Sequence, residues 1–220
     1  MKPAIALVIT DQETNAQIKP LGVGLLELRV DLFRNKDVDY VRRQFENRRK
    51  LRIPLLLTLR NQKKEGAVKE MTDARKWEIL QAAMPLTDYV DIELSCALCA
   101  KTIVLARKLH KKVILSHHDF QGMPAHPQTI LKKALSRGAD LVKIAAKANS
   151  LGDVLDMIVF THINRKHPLI TIALGPIGSV SRLILPGAGS RFTYTFLNKP
   201  TAPGQIDVKT LKAHLKRYYA

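Results

Sequence analysis

The sequence predicts one α/β domain over residues 1–220, a closed (β/α)8 barrel of the TIM type, and three observations carry that prediction. Short runs rich in Ile, Val and Leu occur eight times. Most gaps between them hold a segment with helical spacing, the alternation expected of parallel strands joined by helical crossovers. Within the runs, apolar residues alternate with polar ones. That pattern fits a barrel with a greasy outer wall better than an open sheet covered on both faces, which reads as nearly continuous apolar runs. With 220 residues and 46% hydrophobic positions the chain can bury a sizeable core, and the length suits eight βα units. No Ser/Gly/Pro-rich linker or low-complexity tract offers a place to divide it.

In order, the strand runs are 4–10, 25–31, 54–60, 89–94, 113–118, 141–146, 169–174 and 191–197, and helical spacing fills 72–84, 97–110, 127–137 and 151–165. Successive strand residues point to opposite faces, so parity separates lining from outer wall. In the second run Leu26, Leu28 and Val30 alternate with Glu27, Arg29 and Asp31. The third sets Leu55, Leu57 and Leu59 against Thr58 and Arg60, and the fourth Val90, Ile92 and Leu94 against Asp91 and Glu93. Val142 and Ile144 flank Lys143 in the sixth; in the seventh Ile170, Ile172 and Leu174 oppose Thr171 and Ala173. The eighth sets Phe192, Tyr194 and Phe196 against Thr193 and Thr195. The expected interior therefore carries Glu27, Arg29, Thr58, Arg60, Asp91, Glu93, Lys143, Thr171, Thr193 and Thr195. Buried charges are costly unless paired, and polar groups at the strand C-terminal ends of this fold belong to active sites. The alternative is an ion-pair network that only fills the barrel.

Lys plus Arg is 36 against 19 Asp plus Glu, a net charge of +17, which favours anionic ligands without choosing one. The densest basic tract, 42–52, holds Arg42, Arg43, Arg48, Arg49, Lys50 and Arg52. No zinc-finger, RNA-recognition or basic-zipper pattern accompanies it, so a solvated helix face is expected rather than a nucleic-acid interface. The first ten residues are too short an apolar stretch for a secretory signal, and no run reaches the ~20 residues that cross a bilayer. The expected compartment is the cytoplasm, with no membrane partner. Cys96 and Cys99 form a C-x-x-C without a second ligand pair at zinc spacing, so chance placement on a helix is expected, with neither metal nor cofactor.

A lysine inside a barrel beside arginines points to covalent chemistry. At its ordinary pKa only about one Lys in a few thousand is neutral at pH 7. Desolvation and the cations Arg29 and Arg60 would raise that fraction, and with it the capacity to attack a carbonyl. Lys143 is therefore a Schiff-base candidate, with pairing to Asp91 or Glu93 as the alternative. The fifth run ends in Ser116, His117, His118 and Asp119, a source of proton transfer. Parity puts His117 outside with Val113 and Leu115 and His118 inside with Ser116, so the two cannot share one metal ion. These residues leave open a Schiff-base aldolase acting on a sugar phosphate, with Gly175, Gly178, Gly187 and Gly189 in its phosphate loops.

The run Asp91-Ile92-Glu93, the spacer after it, and Val113-Ile114-Leu115-Ser116-His117-His118-Asp119 make a recognisable signature. It is joined by Glu27-Leu28-Arg29-Val30-Asp31, Arg60 with Glu65-Gly66, Gly138-Ala139-Asp140 before Lys143-Ile144-Ala145, Gly178 with Ser181-Arg182, and Ala202-Pro203-Gly204-Gln205. In this order, over nearly the whole chain, the sequence resembles the type I 3-dehydroquinate dehydratases. The resemblance implies a cytoplasmic, homodimeric lyase of the shikimate pathway, toward chorismate and the aromatic amino acids, that needs no cofactor. It implies that 3-dehydroquinate becomes 3-dehydroshikimate through an iminium on Lys143, with His118 as general acid/base and Glu65 orienting that histidine. Glu27, Arg29 and Arg60 then correspond to residues holding the substrate hydroxyls. Arg182 corresponds to the carboxylate-binding arginine, helped by Gln205 and by Thr201, which stands where Ser is common. The loop 198–207, with Pro200, Pro203 and Gly204, is expected to be a lid that excludes water.

Overall fold

Eight parallel strands, each followed by helix, build a barrel: β1 (Ala4–Ile9), β2 (Leu25–Arg29), β3 (Leu55–Thr58), β4 (Tyr89–Glu93), β5 (Lys112–Asp119), β6 (Leu141–Lys147), β7 (Leu169–Leu174) and β8 (Phe192–Phe196). The computed structural model describes residues 3–60 and 71–219. The ladder runs β7-β6-β5-β4-β3-β2-β1-β8, and the seam between β7 and β8 is joined by a hydrogen bond from Arg191 N to Leu169 O (2.8 Å). Every sequence-predicted strand is present, trimmed or extended by a residue or two.

The helices are α1 (Asn15–Ile18), α2 (Val38–Arg49), α3 (Asp73–Ala83), α4 (Cys99–Lys108), α5 (Pro127–Ser136), α6 (Leu151–Ile163), α7 (Ser181–Ala188) and α8 (Val208–Tyr219). Their starts are written locally. Thr72 accepts a hydrogen bond from Arg75 N ahead of α3, and Ser150 with Asp153 forms a reciprocal capping box ahead of α6. Pro127 opens α5, and Gly138, at φ +86°, follows its end in the left-handed conformation that stops a helix. The basic tract lies on and just after α2 but is not uniformly solvated. Arg42 pairs with Glu46 on the exposed side, whereas Arg48 is buried and donates to the Glu13 carbonyl and to Asn15 Oδ1.

Leu26, Leu28, Leu55, Leu57, Val90, Ile92, Val113, Leu115, Val142 and Ile144 face the helix layer, as parity predicts. A second apolar cluster fills the barrel from inside, from Leu25, Leu56, Ile114 and Leu141 across to Ile170, Ile172, Leu174 and Tyr194. Here β7 and β8 reverse the expected parity. Ile170, Ile172, Leu174 and Tyr194 point inward, while Thr171, expected inside, meets Thr161 of α6 at 2.7 Å. Thr193 donates to Arg182 O and Thr195 to Ile206 O, both away from the lining. A hydroxyl needs one or two partners and finds them on a packed helix or loop, so threonine alternation does not identify the inner face. Among the described residues, no helix is long and apolar enough to cross a membrane.

Candidate active site

The inward positions of β2–β6 change character along each strand. Leu25 is followed inward by Glu27 and Arg29, Leu56 by Thr58 and Arg60, Ile114 by Ser116 and His118, and Leu141 by Lys143. Apolar side chains close the bottom of the barrel and charged ones gather at the C-terminal ends, where this fold builds its sites. A cavity of about 230 Å³ opens there, lined by Glu27, Arg29, Arg60, His118, Lys143 and Arg182 together with Tyr194, Thr201 and Gln205. Of the site residues named from sequence, only Glu65 lies outside the described residues; all the others meet in this cavity.

Arg60 is the centre of the charged layer. Its Nη1 sits 2.8 Å from Asp91 Oδ1 and 3.8 Å from Glu93 Oε2, and it donates to Ser116 Oγ at 3.1 Å. Ser116 in turn donates to Asp91 Oδ1 at 2.6 Å. Burial works against the Arg60 cation, but Asp91 and Glu93 outweigh it, and its pKa is raised. Burial also disfavours the Asp91 carboxylate, yet Arg60 and Lys143 overcome it and hold Asp91 ionised far below the usual range. Arg29 closes a separate pair with Asp31 at 2.7 Å.

Lys143 lies 3.2 Å from Asp91 Oδ2 and 3.4 Å from Glu27 Oε1 through its Nζ, which also stands 4.4 Å above the centre of the Tyr194 ring. Its immediate neighbours are thus two carboxylates and a π face, not the two arginines that the sequence pattern set beside it. The pairing alternative for Lys143 is realised with Asp91 and Glu27 rather than Glu93. Thr58 shares Glu27 Oε1, donating at 2.9 Å.

Glu93 instead holds His118. Its Oε1 accepts from His118 N at 3.0 Å and its Oε2 lies 2.7 Å from Nδ1. A carboxylate only accepts, so Nδ1 carries the proton; Arg60 Nη2, which only donates, approaches Nε2 at 3.4 Å. His118 is therefore a neutral imidazole with its acceptor nitrogen toward the cavity. Burial and Arg60 push its pKa down to about 4, against the opposing pull of Glu93. The register pairs Ser116 with Lys143 and His118 with Ala145, which sets the histidine one inward step above the lysine, on the neighbouring strand.

Arg182 enters from α7. Its Nε donates to Gly204 O at 2.8 Å and its Nη1 to Tyr194 O at 3.1 Å. Its buried Nη2 has no partner among the described residues, and burial lowers its pKa to about 10. A buried guanidinium without a carboxylate is a ready anion seat. The loop after β8 is tied down rather than loose. Gln205 Oε1 accepts from Thr201 N at 2.6 Å and from Ala202 N at 3.2 Å, Asn198 donates to Glu13 Oε1, and Gly175 N donates to Pro203 O. Of the glycines considered as phosphate loops, two serve close packing: a side chain at Gly178 would strike Ala173, and one at Gly189 would strike Arg165.

A family model described as type I 3-dehydroquinase matches residues 4–220. The chain belongs to that family. A 3-dehydroquinate dehydratase of Hydrogenobaculum sp. is 35% identical over 219 residues, covering 98% of each chain. That of Aquifex aeolicus is 33% identical, covering 94% of this chain and 93% of its own. The crystal structure of the Aquifex aeolicus enzyme superposes with a TM-score of 0.85 at 31% identity over 99% of both chains. A type I enzyme of Clostridium difficile, solved with covalently modified comenic acid, superposes at 0.87 and 28% identity, over 98% of this chain and 92% of that one. Membership makes the chain a lyase, a type I 3-dehydroquinate dehydratase.

Three residues that shape this family member's site, Phe120 and Tyr194 on the cavity wall and Glu93 behind His118, stand outside the site set named from sequence. Glu93 was placed on the lining, but its bond to His118 follows only from the β4–β5 register, Glu93 against Ser116. Tyr194 was placed outside by parity. Phe120, stacked on the His118 ring at 6.3 Å between centres, sits just past a strand end and carries no periodic signal. Cys96 and Cys99 are free and buried; Cys99 begins α4 while Cys96 lies in the turn before it, 3.5 Å from Lys76 Nζ.

Proposed function

We propose that this enzyme removes water from 3-dehydroquinate, to give 3-dehydroshikimate, through an iminium on Lys143, with His118 moving the protons. The observation that carries the reading is the meeting of Lys143 Nζ, a neutral His118 and an unsated Arg182 around one cavity. Arg182 holds the substrate carboxylate, which converts binding energy into orientation. As the free amine, Lys143 adds to the ketone carbon and water is lost, leaving a cationic iminium that acts as an electron sink. His118 Nε2 takes the proton from the adjacent carbon, and the resulting enamine expels the β-hydroxyl as that proton returns to the departing oxygen. Water then releases the conjugated enone and restores the lysine. Glu93 fixes the His118 tautomer and stabilises the imidazolium while it exists, and Glu27, Arg29 and Arg60 contact the hydroxyls. We expect the enzyme to work as a cytoplasmic homodimer.

Borohydride added with 3-dehydroquinate tests this. Mass spectrometry is expected to find the reduced ligand on Lys143, and Lys143→Met to form no absorbing enone. Label on Lys147, or none in an active enzyme, removes the mechanism. An aldolase would be trapped as well but would yield no enone from this substrate.

A further inference from the structure

A buried hydroxyl without a partner is uncommon in a folded protein and calls for a reason. Tyr194 carries one beside the reacting lysine. The residue lines the catalytic cavity and belongs to the apolar cluster that fills the barrel, yet its buried Oη meets no hydrogen-bond partner among the described residues. Phenylalanine would fill the same space without leaving a polar atom unpaired. The backbone holds the ring in place, because the Tyr194 carbonyl accepts from Arg182 Nη1 at 3.1 Å and the residue pairs with Ala6 in the β1–β8 register.

What the hydroxyl could serve follows from the contacts of Lys143. Its Nζ lies 3.2 Å from Asp91 Oδ2, 3.4 Å from Glu27 Oε1 and 4.4 Å from the centre of the Tyr194 ring. To attack a ketone, Nζ must leave both carboxylates. They are not equally provided for. Asp91 keeps Arg60 at 2.8 Å and the Ser116 hydroxyl at 2.6 Å whatever the lysine does. Glu27 is buried, and among the described residues only Thr58 and Lys143 hydrogen-bond it, both through Oε1. Without Lys143 it would be a buried carboxylate held by one hydroxyl, a costly state. Tyr194 is the donor left over in this layer. Burial, then Glu27 and Asp91, push its pKa well above the usual value, so the phenol keeps its proton.

We propose that Tyr194 is a positioning residue whose hydroxyl takes the place of Lys143 on Glu27 when the lysine nitrogen turns to the substrate. No proton changes hands: Oη donates a hydrogen bond to Glu27 as Nζ withdraws, and gives it up when the lysine returns. The contact is absent in the resting enzyme and present in the reacting one, the kind of interaction that raises turnover rather than substrate affinity. It also gives the orphan hydroxyl of the free protein its reason. The proposal rests on the lysine mechanism above and adds to it the group that lets the lysine go.

Tyr194→Phe tests this, because it removes the hydroxyl and keeps the ring. With 3-dehydroquinate the variant is expected to lose roughly 10-fold in kcat, the worth of a hydrogen bond to a charged group, at unchanged KM. Borohydride should label its Lys143 correspondingly more slowly than in the wild type. The thermal midpoint should not fall, since the resting enzyme loses no bond. A wild-type kcat in the variant overturns the proposal. So does a raised KM at unchanged kcat, which would put the hydroxyl on the substrate, or a lowered thermal midpoint, which would mean that it is paired at rest. An active wild-type enzyme that takes no label on Lys143 removes the lysine mechanism and this proposal with it, whereas normal wild-type labelling beside an unaltered variant removes the proposal alone.

Discussion

Along β2–β6 the inward residues pass from apolar to charged on the way to the C-terminal ends, whereas along β7, β8 and β1 they stay largely apolar, with Ile170, Ile172, Leu174, Tyr194, Ala6 and Val8. As sequence, β7 and β8 look like β2–β6, with polar residues alternating with apolar ones, whereas β1 is apolar throughout. The alternating strands differ in what the polar residue is. A carboxylate, ammonium or guanidinium must be solvated or paired on several sides, and inside the barrel the shared cavity offers those partners, as the contacts of Arg60 show. A threonine is satisfied by one neighbour, and Thr171, Thr193 and Thr195 find theirs outside. The apolar half then serves as the wall against which the charged half acts.

The comparison breaks most visibly at His118. His118→Ala is expected to cut turnover by ~10² to 10⁴, while His117→Ala mainly lowers stability; Glu93→Gln should follow His118→Ala at smaller magnitude, because an amide can donate to Nδ1 and reverse the tautomer. Steady-state rates with circular dichroism check this, and an inactive, folded His117→Ala enzyme beside an active His118→Ala enzyme would reverse the assignment. Next in size is Arg182→Ala. A charge-assisted hydrogen bond is worth about 1.5–3 kcal/mol, so KM should rise roughly 10- to 100-fold; an unchanged KM would remove Arg182 from carboxylate binding.

Acidification probes the charged half as a stability element. Burial and Arg60 hold folded His118 near a pKa of about 4, below the unfolded value of about 6.5. Between these values the unfolded chain binds more protons, so stability rises with pH across that window and falls on acidification. Asp91, lowered by Arg60 and Lys143, and Glu93, lowered by its contact with His118 and by Arg60, both against the opposing effect of burial, add stability that is present above ordinary carboxylate values and lost as pH drops through their folded ones. Urea unfolding at several pH values should show a shallower slope between pH 6.5 and 4 in His118→Gln; identical slopes would mean that His118 is not held neutral. The smallest effect is expected in the other half. Thr171→Val removes the bond to Thr161 and should cost about 1 kcal/mol of stability with turnover unchanged. A fall in turnover without loss of stability would return Thr171 to the lining.

Most of the site was legible in the sequence because its charged residues recur at period two within recognisable strands, and because burying charge demands a reason. Lys143, His118, Arg60 and Glu27 were found that way, and all line the cavity. Tyr194 was missed because an aromatic at an alternating position reads equally as wall or lining, and Phe120 because it follows a strand end, where periodicity stops.

By itself the sequence determined the eight-unit barrel, the charged layer at its mouth and the lysine and histidine that share it, since period and charge are local properties of a strand. Only the tertiary structure decided who faces whom. The β4–β5 register brings Glu93 to His118, and closure of the barrel brings Glu27 and Asp91 to Lys143. Parity tells a side chain which face to take, but its partner across the barrel depends on stagger between strands far apart in the chain, and no local pattern encodes that distance.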